Sequence, residues 1–122
     1  MRPYTKKRAA RNRQADLVRK ALLREVPLCE ACNRNMSDEV HEIARGNALR
    51  QKAMDKRYAC LVVCWMCHHG PLSSRAEWPE SRQLAALRRS RPRDFDLAAF
   101  NALVGRGPER VTAEDVQEWE GE

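Results

Sequence analysis

Two C-x-x-C pairs, Cys29-Glu30-Ala31-Cys32 and Cys64-Trp65-Met66-Cys67, bracket residues 33–63 and constrain this chain more than any other feature. Each pair carries two thiols round one tight turn, and four thiolates complete the tetrahedral shell that a structural zinc ion prefers. The spacing matches that of zinc ribbons and treble-clef knuckles. Closing both pairs on one ion makes a loop of the intervening segment, with His41 inside it and His68 and His69 at its exit. Zinc binding is therefore expected to bring sequence-distant histidines together, as a catalytic metal site requires. Cys60, the fifth cysteine, sits in an apolar run and reads as a small buried hydrophobe outside the site.

A chain of 122 residues has room for one core of ordinary size. Only 6% of its residues are aromatic and 33% are charged, so that core is modest and a metal staple would supply stability it lacks. The net charge of +6 is unevenly spread. Residues 1–25 hold nine basic residues against Asp16 and Glu25, and Arg82, Arg88, Arg89, Arg91 and Arg93 form a second basic group. From Pro108 onward there is one base, Arg110, against six acids. Basic clusters of this kind are the electrostatic footprint of nucleic-acid binding, and the acidic end is expected to turn away from the polyanion. No apolar run is long enough for a membrane span, and Met1–Arg8 lacks the apolar core of a secretory signal, so the expected location is the cytoplasm. In a reducing compartment, five cysteines favour metal ligation over disulfides.

Residues 1–13 have no hydrophobic period and read as a flexible basic arm. A helix should follow, with Leu17, Val18, Ala21 and Leu22 on its apolar face, and should stop before Pro27. A first strand is expected over Val40–Ile43, carrying His41 and Glu42. Asn47–Arg57 reads as helix or ordered loop, and Tyr58–Val63 as a second strand that delivers Cys64. A helix should start near Trp65, with Trp65 and Trp78 as packing residues. Further helices are expected over Glu80–Arg89, over Phe95–Val104 with Asp94 as N-cap, and after a Thr112/Asp115 capping box in the acidic tail, 106–122.

The run Leu28-Cys29-Glu30-Ala31-Cys32, then Val40-His41-Glu42-Ile43, then Val63-Cys64-Trp65-Met66-Cys67-His68, resembles the HNH endonucleases, particularly small phage-type members with cysteine knuckles. The resemblance covers about residues 28–70, within a domain expected over 14–105. It implies an α+β chain with a ββα-metal, treble-clef-like zinc-knuckle core and added N- and C-terminal helices. It also implies a metal-dependent DNA endonuclease that hydrolyses phosphodiester bonds in phage DNA processing or recombination. Cys29, Cys32, Cys64 and Cys67 would hold structural Zn²⁺, while His41 and His68 would hold a catalytic Mg²⁺, Mn²⁺ or other divalent ion. Either Glu42 is the general base and His41 a metal ligand, or, in a slightly altered strand register, His41 is the base and Glu42 supplies a carboxylate to the metal. The family's central asparagine, expected near Ala59, is missing, and Asn47 is a candidate replacement. Arg45, Arg50, Lys52, Lys56, Arg57 and His69 would grip the DNA backbone. The alternative is a non-catalytic zinc-knuckle adaptor that binds nucleic acid. In either case a second copy of the chain or a phage protein is a further candidate partner.

Overall fold

Lysine, arginine, alanine and glutamine are good helix formers even where no apolar stripe is present, and the N-terminal stretch is rich in them. Accordingly, helix α1 spans Lys6–Glu25 in the computed structural model, which describes residues 6–44, 47–70, 78–105 and 110–120. Residues 6–13, expected to be an arm without regular structure, are the first turns of this helix. It ends two residues before Pro27, as the proline requires. Its buried side is set by Ala15 and Leu22, with Val18 partly covered, whereas Leu17, expected inside, is 63% exposed.

Strands β1, Glu39–Glu42, and β2, Cys60–Val63, pair antiparallel with His41 opposite Leu61 and Glu42 opposite Cys60. The second strand is shorter than expected because Arg57–Ala59 forms a 3₁₀ turn. Between the strands lies helix α2, Asn47–Ala53. Alternation along a strand sorts its side chains onto two faces. Val40, Cys60 and Val62 pack with Leu22 and Val26 of the α1 side, whereas Leu61 and Val63 join the main core. That core includes Leu84, Leu87 and Phe100 from α4, Glu80–Ser90, and α5, Leu97–Val104.

Helix α3, Trp65–His68, follows β2 directly. Helix α5 starts later than expected: its N-cap is Asp96, which accepts from Ala99 N at 3.0 Å, and not Asp94. Asp94 instead accepts from Arg57 and Arg91. The Thr112/Asp115 capping box is formed at the head of α6, Ala113–Gln117. This helix packs on α4, where the Arg82 guanidinium lies 3.9 Å from the Trp78 ring centroid and 4.9 Å from that of Trp119. Arg110 makes a paired contact with Glu80, at 2.7 and 2.8 Å. No helix among the described residues is long and apolar enough to cross a membrane.

The first cysteine turn is locked from inside. Glu30, 3% exposed, exchanges two hydrogen bonds with Val62: its N–H donates to Val62 O, and its carboxylate accepts from Val62 N, each at 2.8 Å. Arg91, also buried, donates to both Glu30 oxygens at 2.9 and 3.1 Å, and to Cys60 O and Asp94. One buried ion pair thus ties the knuckle, β2 and the end of α4 together. The architecture is α+β, a two-stranded sheet among helices with four cysteines gathered at one end.

Candidate metal centre

Asn33 has a φ of 55°, the left-handed conformation that asparagine tolerates better than most residues. It closes the turn after Cys32, with Asn33 N donating to Cys29 O at 2.9 Å. A Leu28–Met36 bridge then returns the chain towards β1. The second pair straddles the start of α3, where Cys64 is the N-cap and Cys67 lies in the helix. As a result the Sγ atoms of Cys29, Cys32, Cys64 and Cys67 all lie within 4.8 Å of one another, and those of Cys32 and Cys64 are 4.0 Å apart. A tetrahedral zinc with bonds near 2.3 Å needs sulfur separations of about 3.8 Å. All five cysteines are free thiols.

Electrostatics agrees with that geometry. Burial raises the Cys32 thiol, but the backbone N–H groups of Asn35 and Arg34 and its sulfur neighbours outweigh it, bringing the thiol down to about 7. Cys64 is likewise lowered against its burial, chiefly by the Asn35 side chain, which donates to its Sγ at 3.4 Å. Burial pushes Cys29 and Cys67 up. Four sulfurs this close cannot all ionise without a cation among them, and the set is positioned to bind a metal ion. Cys60 stands apart on the α1 side of the sheet, where burial pushes its thiol up to about 12.

The histidines meet beside this cluster. β1 presents His41 on the main-core face and α3 presents His68, so that His41 Nδ1 and His68 Nε2 are 3.2 Å apart. His41 is 7% exposed, and burial first, then the charges of His68 and Arg50, bring it down to about 4. Glu39, two residues before His41 and on the same strand face, accepts from His68 Nδ1 at 2.5 Å and from His69 Nε2 at 2.8 Å. Burial raises the Glu39 carboxyl, yet the contacts with His68 and His69 hold it below the usual carboxylate range.

Glu42, expected to share the site, faces the other way. It lines a hollow with Asn12, Ala15, Asp16, Arg19, Val40 and Met54, on the α1 side of the sheet. With His41 in its observed register, strand alternation cannot bring both residues to one ion. Glu39 stands where a carboxylate was sought, and the signal that could have found it is its period-2 spacing from His41.

Arg50 and Lys52 are exposed on α2, and Lys56 pairs with Asp55 at 3.6 Å. Arg57 is committed elsewhere, donating to both oxygens of Glu25 and both of Asp94. Arg45 lies outside the described residues. Ala59, at the position of the missing asparagine, is fully buried, and Asn47 begins α2. Trp65 is 52% exposed beside His69, outside the packing role expected of it. No family model, curated protein or solved structure matches this chain.

Proposed function

We propose that this protein is a metal-dependent DNA endonuclease of the HNH kind, with a ββα-metal core and Zn²⁺ held by Cys29, Cys32, Cys64 and Cys67. The observation that carries the reading is the meeting of His41 and His68 at 3.2 Å, on the strand and helix that the cysteine cluster anchors. His41 and His68 would hold a divalent ion such as Mg²⁺ or Mn²⁺. Bound there, the ion would polarise the scissile phosphate and favour departure of the leaving oxygen. His41 stays neutral at cellular pH because it is buried, so its imidazole nitrogens are available as donor or base. Arg50, whose charge reaches His41, and Lys52, both exposed on α2, would meet backbone phosphates. The exposed basic residues of α1 would add further positive charge for the polyanion.

The alternative, a zinc-knuckle adaptor without catalysis, draws on Ala59 standing where the family has asparagine. Incubation with supercoiled, branched and flap DNA across Mg²⁺, Mn²⁺, Co²⁺, Ni²⁺ and Zn²⁺ separates the two. The endonuclease nicks or cuts at least one substrate, and His41→Ala or His68→Ala lowers the rate by about 10²–10⁴-fold. Inactivity on every substrate and ion, with DNA binding intact, would establish the adaptor instead.

A further inference from the structure

Four aromatic rings run in series from the buried end of the histidine site to the surface. The ring centroids of His41 and His68 are 4.9 Å apart, those of His68 and His69 4.1 Å, and those of His69 and Trp65 6.0 Å. Exposure rises along the row, from His41 at 7% to Trp65 at 52%. His69 N donates to Trp65 O at 2.7 Å, and this last turn of α3 sets the two outer rings side by side.

Tryptophan is on average highly buried, and the other two tryptophans of the chain have partners for their rings or indole N–H groups. Trp78 carries the Arg82 guanidinium on its ring, and the Trp119 indole N–H donates to Ser81 Oγ at 3.0 Å. Trp65 has neither kind of partner among the described residues. Its ring neighbour there is His69, tilted by 45° and so not stacked upon it, and half of the side chain stays in water. The adjacent Met66 is also exposed. Two apolar side chains on α3 are too few for a protein partner, since a stable interface takes about 20–30 residues a side. One nucleic-acid base needs only one ring, and stacking on an aromatic side chain holds single strands whatever their sequence. The net charge of +6 suits the same polyanion.

The bases of an intact duplex are covered on both faces by their neighbours, so Trp65 can receive only a base that is unpaired or displaced. From His68 to Trp65 the path runs through two ring contacts, of 4.1 and 6.0 Å. At a rise of about 3.4 Å per nucleotide, a base on Trp65 belongs no more than about three nucleotides from a phosphate at His68.

We propose that Trp65 is a base-stacking residue that holds an unpaired base beside the histidine site, so that the substrate is flapped or branched DNA, cut close to the point where the duplex opens. This deepens the endonuclease reading and rests on it for the cutting step, whereas the binding step rests on the exposed ring.

The test is equilibrium binding, by fluorescence anisotropy, of full-length protein whose cysteine site is filled with Zn²⁺ to a labelled flap and to a matched duplex of equal length, with no other divalent ion present. Wild type binds the flap more tightly. Trp65→Ala weakens flap binding about 5–150-fold and duplex binding by less than about twofold, and Trp65→Phe, which keeps a ring, recovers most of the loss. A 5-iodouracil placed in the flap within about three nucleotides of the branch cross-links to Trp65 of the wild type, which reads the contact without any substitution. The proposal is overturned if Trp65→Ala binds the flap as tightly as wild type, if flap and duplex binding fall together, or if the cross-link forms on another residue. It is equally overturned if Trp65→Ala abolishes a self-association of the chain and leaves flap binding intact. Flap binding through Trp65 without cleavage by any divalent ion refutes the endonuclease reading alone. Cleavage of flap and matched duplex at equal rates refutes the stacking role alone.

Discussion

Glu30 and Arg91 show how much of this molecule turns on single charged residues. Both are buried and pair with each other, and each also satisfies a strand backbone group, Val62 N for Glu30 and Cys60 O for Arg91. Removing one partner of such a pair typically costs about 3–5 kcal/mol, because the survivor is left charged and dry. Arg91→Ala should therefore lower the urea-unfolding free energy by that amount, measured with the knuckle ion in place. Asn33 offers a smaller, sharper contrast: its positive φ predicts that Asn33→Val costs about 1–2 kcal/mol while Asn33→Gly is close to neutral. The motif made the cysteines and histidines legible in the sequence. It was silent on Glu39 and Glu30, whose roles depend on which elements pack together.

At the scale of elements, the buried side of α1 predicts opposite outcomes for two leucines. Leu22→Ala, at a fully buried position, should cost about 2–5 kcal/mol, whereas Leu17→Ala should barely move the unfolding midpoint. The sequence placed the helix and its stop before Pro27, because proline acts locally. Of the expected stripe, Val18, Ala21 and Leu22 are covered and only Leu17 is not, because tertiary contact with Val40, Cys60 and Val62 sets the edge of the buried face, and those residues are distant in the chain. The N-cap of α5 was missed for a related reason. Asp94 and Asp96 are both good caps, and Arg57 and Arg91 claim the first.

Those arginine contacts also make stability depend on pH. Burial raises Asp94, but the hydrogen bonds from Arg57 and Arg91 outweigh it, so its folded value lies below the ordinary one. Its contribution is complete above the unfolded value of about 3.9 and is lost as pH falls through the lower folded value. Thermal midpoints measured from pH 6 down to pH 2.5 should fall at the acid end, and by less in Asp94→Asn. An unchanged slope in that variant would remove Asp94 as a source of the acid sensitivity.

For the whole molecule, the cysteine cluster joins the knuckle to the sheet and to α3, and the histidine pair depends on that junction. The gathering of Cys29, Cys32, Cys64 and Cys67 was readable from two spacings because ligand geometry ties distant residues together as packing rules alone do not. The face on which Glu42 sits was not readable, since a one-residue change of register reverses a strand. Chelation should therefore melt the core and disperse His41 and His68 along with the cysteine cluster. The most direct measurement is the number of metal ions bound per chain, in wild type and in a His41→Ala/His68→Ala variant, each stripped by chelation and refilled with Zn²⁺. Two ions in wild type and one in the variant, with DNA cleavage confined to wild type, is the predicted result. One ion in both proteins would contradict it.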